Sequence, residues 1–120
     1  MTNAAKSVYY FGFYLYATGL TLIFIPNVFL STLQIPETSE NWIRVVGVLA
    51  FCIGFYYHRT GATGNTSFLK LTIPTRILVF VSFLAFVAFQ MVPPVLLGIG
   101  AIDLAGAIWT WQALKKENQL

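Results

Sequence analysis

Charged residues are scarce in this chain. Lysine, arginine, aspartate and glutamate make up 9% of its 120 residues, whereas hydrophobic residues make up 58%. An average soluble domain is about a quarter charged, and so short a soluble fold could not bury this much apolar surface. The composition therefore predicts that lipid surrounds most side chains. It argues against nucleic-acid binding, because the few cations lie at the ends of apolar runs and form no basic stripe.

Cysteine and histidine occur once each, as Cys52 and His58. A single cysteine excludes an intrachain disulfide, and one residue of each type provides no zinc or haem ligand set. Cys52 lies in an apolar run, where a free thiol behaves as a small hydrophobe. No Ser-His-acid set, phosphate loop or dinucleotide motif is present. We therefore expect no metal and no cofactor, and the balance favours a protein that is not an enzyme.

Long apolar runs are abundant. A spanning helix needs about 20 mostly apolar residues, at about 1.5 Å per residue, to cross a hydrocarbon core of about 30 Å. The runs at residues 8–25, 40–58, 74–92 and 94–114 meet this requirement, and only helices satisfy backbone groups within lipid. The sequence predicts an all-α integral membrane protein, an antiparallel four-helix bundle forming a single domain over residues 1–120.

The connector between the first two runs has an apolar face of its own, formed by Phe29, Leu30 and Leu33. Pro26 and Pro36 bracket this face, which predicts a short interfacial helix. The alternative is a first helix that is kinked at Pro26 and continues to Leu33.

The remaining connectors differ in length. Residues 58–73 contain the sequence GATGNTS, which predicts a flexible turn followed by an interfacial segment. Pro93 and Pro94 predict a tight hairpin between helices three and four. Glycines recur seven residues apart in the first two runs, and we interpret them as helix-packing grooves. These glycines are Gly12, Gly19, Gly47 and Gly54.

The charges divide between the two ends of the predicted helices. Glu37 and Glu40 lie at one end, where neither connector carries Lys or Arg. The positive-inside rule therefore predicts a multi-pass protein of the cell inner (cytoplasmic) membrane, with N- and C-termini cytoplasmic. The cations at the other end are Lys6, Arg59, Lys70, Arg76, Lys115 and Lys116.

Asp103 is the most unusual residue of the apolar runs. At about 1.5 Å per residue it lies about 13 Å from Pro94 and about 18 Å from Lys115, close to mid-membrane. An acid there should face the bundle interior. Its helical face also carries Thr110 and several small residues. Asp103 is therefore either a proton-accepting or cation-binding group, or a structural acid bonded to a hydroxyl or an arginine.

Three arginines are further candidates. Arg44 lies just inside the outer end of helix two, where it can snorkel to the interface, bind an anionic headgroup, or reach Asp103 through a tyrosine or water. Arg76 at the start of helix three is expected to be a topology anchor or a lipid-headgroup contact. Arg59 is the second headgroup candidate.

Aromatic residues crowd helices one and three. Aromatic side chains at helical spacing usually pack against neighbouring helices. The more specific hypothesis is that they form the wall of a cavity for a flat hydrophobic ligand. With Asp103 and Arg44, we take Tyr14, Trp109 and Thr110 as candidate ligand-binding or proton-linked residues.

Two stretches resemble a known group of proteins. They are ENWIRVVG at residues 40–47, followed by Gly54 and Tyr56-Tyr57, and IDLAGAIWT at residues 102–110, preceded by Arg76. Together they resemble a family of uncharacterised small bacterial four-helix membrane proteins, broadly DoxX-like. The resemblance implies the four-helix membrane fold, and by analogy an association with quinone-linked chemistry.

Three functions are consistent with these features. The first is a membrane protein that binds a lipid- or quinone-like ligand or a partner membrane protein. The second is a small homo-oligomeric transporter or channel that uses Asp103. The third is an intramembrane isomerase, which lacks an obvious second polar group. Membrane lipids are the expected surroundings in all three cases.

Overall fold

All 120 residues are described by the computed structural model, and helices account for 79% of them. The all-α prediction is confirmed, since the chain contains no strand. There are four long helices and one short helix: α1 (Asn3–Phe24), α2 (Pro26–Thr32), α3 (Trp42–Thr63), α4 (Thr66–Ala88) and α5 (Leu96–Lys116).

The first helix ends before the proline and does not kink through it. Ile25 leaves helical geometry, with φ −137° and ψ 57°, and Pro26 is the first residue of α2. The short helix expected in this connector is therefore present, and the alternative of one helix continuing to Leu33 is wrong. Leu30 of α2 packs with Leu22 and Ile43 in a small buried cluster, which holds α2 against the ends of α1 and α3.

The third long helix begins at Thr66, eight residues before the predicted start at Pro74. The side chain of Asn65 accepts a hydrogen bond from the Phe68 N–H at 3.2 Å and caps the helix. Gly64 ends α3 with a left-handed φ of 68°. The predicted flexible connector at residues 58–73 is therefore wrong: the two helices are joined by Gly64 and Asn65, and Pro74 lies inside α4.

The other predicted bounds also shift. Residues 8–25 become Asn3–Phe24, and 40–58 become Trp42–Thr63. The tight hairpin at Pro93-Pro94 is a longer connector, because α4 ends at Ala88 and α5 begins at Leu96. Gln90 has a φ of 60°, which ends the helical path before the prolines.

Glycines bring α1 and α3 into backbone contact. A Cβ added to Gly12 would lie 2.9 Å from the Gly54 carbonyl oxygen, and a Cβ added to Gly19 would lie 2.7 Å from that of Gly47. The predicted packing grooves are confirmed. Because the partner number falls as the α1 number rises, the two helices run antiparallel.

The second helix pair consists of α4 and α5. This pair packs against α1 mainly through α5. Gly100 of α5 lies beside Phe80 and Phe83 of α4. Thr110 of α5 bonds both to Arg76 of α4 and to Ser7 of α1. By contrast, α3 and α4 barely touch, so the seam between them is open.

Two helices, α1 and α4, are long and apolar enough to cross a membrane. In addition, large apolar side chains are exposed over all the helices.

Candidate functional site

A cleft of about 370 Å³ occupies the open seam between α3 and α4. Eight of its twelve lining residues are hydrophobic. This is an apolar site with a few converging polar groups, as is typical of small-molecule sites. The lining residues are Phe11, Leu15, Ile53, Tyr56, Tyr57, Phe68, Leu71, Thr72, Thr75, Arg76, Val79 and Asp103.

Arg76 forms part of the cleft floor and is 1% exposed. Its Nε donates to the Thr72 carbonyl oxygen at 3.1 Å, and its Nη2 donates to Thr72 Oγ1 at 2.9 Å and to Thr110 Oγ1 at 2.7 Å. None of these partners is a carboxylate. The guanidinium is thus held by hydroxyls and a backbone carbonyl on α4 and α5.

Aromatic rings flank the same guanidinium. Its Cζ lies 5.1 Å from the Phe11 ring centroid and 5.7 Å from that of Tyr57, within the range of cation–π attraction. One nitrogen remains free: Nη1 is buried and has no hydrogen-bond partner. A Cβ added to Gly106 would lie 2.7 Å from Nη1, so this nitrogen rests against the bare backbone of α5.

Asp103 lines the cleft one turn before Gly106. It is half-buried, and Arg76 is the cation whose field reaches it. Its carboxylate lies outside the hydrogen bonds that fix Arg76, all of which end on Thr72 and Thr110. The cleft therefore contains one cationic and one anionic side chain, held on two different helices.

Thr110 is the junction of the polar network. It is fully buried, donates to the Gly106 carbonyl oxygen at 3.0 Å and receives the Arg76 bond. Its hydroxyl also lies 2.5 Å from Ser7 Oγ, and because the Thr110 hydrogen goes to Gly106, Ser7 is the donor in this bond. Ser7 Oγ lies 2.6 Å from the Ala4 carbonyl oxygen as well. The network therefore joins α4 and α5 to α1.

Arg44 lies elsewhere. It is exposed, and its Nη1 donates to the Ile23 carbonyl oxygen in the last turn of α1. Cations near a helix C-terminus interact favourably with the free carbonyls there. The arginine that accompanies Asp103 is Arg76, whereas Arg44 holds the end of α1 against α3.

The other candidates are dispersed. Tyr14 is half-buried and packs on Phe11, with ring centroids 5.2 Å apart. Trp109 is exposed, and its Nε1 donates to Asn3 Oδ1 at 3.3 Å. Arg59 is exposed at the end of α3. Of the predicted residues, the structure brings together only Asp103, Arg76 and Thr110, with Tyr14 one ring away.

Sequence reasoning missed four residues around Arg76. Thr72 precedes Arg76 by four residues, a spacing that puts both on one helical face, and this signal was readable once α4 was known to begin at Thr66. Ser7, Phe11 and Tyr57 reach the site from other helices, so no local pattern marks them.

No protein-family model, curated protein or solved structure matches this chain. The resemblance to the DoxX-like family therefore stays a prediction.

Proposed function

We propose that this chain is a multi-pass membrane protein whose four long helices cross the bilayer and whose cleft binds a lipid- or quinone-like amphiphile. The observation that carries the proposal is the cleft itself, an apolar groove that leads to one buried cation and one acid.

The exposure of α4 supports the membrane part. A core helix of a soluble protein is mostly buried, yet only 11% of the apolar stretch of α4 is buried. Lipid is the solvent in which such a surface is stable. The helices α3 and α5 are less apolar, but they expose large hydrophobic side chains in the same way, including Val45, Val48, Leu49, Ile53, Phe55, Ile102 and Ile108.

The position of the termini supports an even number of crossings. Glu117 accepts a hydrogen bond from the Ala4 N–H at 3.2 Å, so both termini lie at one end of the molecule. Lys6, Lys115 and Lys116 lie at that end, and Glu37 and Glu40 lie in the connector that follows α2 at the other. With the positive-inside rule, this favours cytoplasmic termini in the inner membrane.

Cys52 provides the test of membrane insertion, because it is the only cysteine and is exposed in the middle of α3. In intact membranes we expect a charged maleimide to leave Cys52 unlabelled and to label it after detergent denaturation. Ser39→Cys and Gln119→Cys, each with Cys52→Ala, should label from opposite sides of the membrane. Rapid labelling of Cys52 in membranes would contradict the proposal.

Ligand binding is tested by filling the cleft. Val79 lines the cleft, whereas its neighbour Leu78 is 63% exposed and faces away. We expect native mass spectrometry to show that dodecanoic acid, methyl dodecanoate or decylubiquinone binds the parent protein and Leu78→Phe, and that Val79→Phe loses the adduct. Equal binding by both variants, or no adduct with any probe, would refute the cleft as the site.

A second candidate is a small transporter that uses the Asp103 carboxylate as a cation or proton site. The position of Asp103 in the cleft favours it. Proton or cation flux into proteoliposomes that Asp103→Asn abolishes would support transport, and unchanged flux would exclude it.

A further inference from the structure

We propose that the head group recognised in the cleft is a protonated carboxylic acid, and that the ligand is a single-chain fatty acid admitted sideways between α3 and α4. This inference rests on the proposed ligand-binding function and specifies its ligand.

The size of the cleft limits the ligand. A water molecule occupies about 30 Å³ in the liquid, so 370 Å³ accommodates about a dozen groups of that size. A carboxyl group and the first part of one alkyl chain are therefore enough to fill the cleft, with the rest of the chain outside it.

The exposure of the lining residues gives the direction of the ligand. Leu71 on α4 is 64% exposed and Ile53 on α3 is 46% exposed, whereas Arg76 on the floor is 1% exposed. The apolar rim therefore opens outward through the seam, and the polar groups lie at the depth of the cleft. An amphiphile fits with its head inside and its tail directed outward.

The polar groups define the head. Nη1 of Arg76 is a buried donor without a partner, and such groups are costly unless satisfied. It is packed against Gly106 and the ring of Phe11, and that ring also lines the cleft. An acceptor therefore reaches Nη1 from the cleft when the Phe11 ring moves aside, and Asp103, three residues before Gly106 on α5, lines the same cleft. A carboxylic acid carries both functions on one carbon: its carbonyl oxygen accepts from Nη1, and its O–H donates to the Asp103 carboxylate.

The charges select the neutral form of this head. Arg76 is the one cationic side chain of the lining and Asp103 the one anionic side chain, and the other titratable groups of the lining are the hydroxyls of Tyr56 and Tyr57. Tyr14 lies behind Phe11, with the two ring centroids 5.2 Å apart. A carboxylate would add a second negative charge to a site with one cation, whereas an acid that has taken a proton from solution leaves the charges balanced.

Proton stoichiometry tests the inference. Dodecanoate is titrated calorimetrically into the detergent-solubilised full chain at neutral pH, in buffers of different ionisation enthalpy. We expect the parent protein to take up close to one proton per ligand. Asp103→Asn should bind the same ligand as the carboxylate, with Nη1 and the introduced side-chain amide as donors, and take up close to none.

The outcomes separate this inference from the proposed function. Binding to the parent protein without proton uptake, or equal uptake by Asp103→Asn, would overturn the acid assignment. The same conclusion follows if methyl dodecanoate, which has no O–H, binds the parent protein as tightly as the acid; we expect it to bind about tenfold more weakly. Failure of every probe would instead refute the ligand-binding function itself.

Discussion

The Gly19–Gly47 contact between α1 and α3 is one of the tightest points of the packing. In Gly19→Ala the new Cβ would lie 2.7 Å from the Gly47 carbonyl oxygen and 2.8 Å from the Phe51 amide nitrogen. Ordinary contacts between nonbonded heavy atoms lie at about 3.5–4.0 Å. Both obstacles are backbone atoms, so no side chain can rotate away and the helices must separate by about 1 Å.

Two opposing effects determine how far Gly19→Ala lowers the free energy of unfolding. Overpacking that forces the backbone to move costs about 3 kcal/mol at the upper end of its usual range. Alanine favours the helix over glycine by about 1 kcal/mol. The variant should therefore be about 2 kcal/mol less stable than the parent protein.

Gly98→Ala is the matched control. Gly98 also lies in a long helix, but no atom lies within 4 Å of an added Cβ. Gly98→Ala should therefore be more stable than the parent protein by up to about 1 kcal/mol, because alanine favours the helix and no clash opposes it. Unfolding of both variants in mixed micelles, followed by circular dichroism as the denaturing detergent fraction rises, measures the difference. If Gly19→Ala is as stable as Gly98→Ala, α1 and α3 do not pack through these glycines.

Three further changes probe the polar network and the limits of α4 by the same unfolding assay. Thr110→Val removes the hydroxyl that accepts the Arg76 bond and should cost about 2 kcal/mol, whereas Thr110→Ser should restore most of it. Asn65→Ala removes the cap on the Phe68 N–H and should cost about 1 kcal/mol, with Asn65→Asp close to the parent protein; no loss would place the start of α4 elsewhere. Pro74→Ala supplies the missing N–H inside α4 and should be stabilising, and a loss of stability would mean that Pro74 makes a packing contact of its own.

Apolar run length predicted the four long helices well, because runs of this length are too long for strands. It predicted their ends poorly. Pro74 was taken as the start of the third helix, since proline is favoured in a first turn, whereas the cap at Asn65 was the correct signal. Prolines are tolerated within membrane helices when neighbours satisfy the freed backbone group, so the proline was the less informative residue.

The same error displaced Arg76. Counted from Pro74, it falls in the first turn of its helix, where an arginine would snorkel to the interface. Counted from Thr66, it falls in the third turn, where it is buried. Asp103 was recognisable because an acid in a long apolar run has no cheap explanation. The proximity of Arg76 to Asp103 was not recognisable, because it depends on the register of α4 against α5, which the sequence does not show.

The position of Arg76 links stability to the proposed binding. The pairs α1–α3 and α4–α5 are each closely packed, and between α4 and α1 the polar connection runs through Arg76, Thr110 and Ser7. The bond from Arg76 to Thr110 makes this connection, the two bonds to Thr72 fix the guanidinium on its own helix, and Nη1 packs against Gly106 without a partner. A ligand that supplies this partner would therefore add a bond to the group that holds the two helix pairs together. Ligand that binds only the folded chain should stabilise it in proportion to occupancy, and Val79→Phe, which blocks the cleft without touching the network, should remove that stabilisation while leaving the unliganded protein folded.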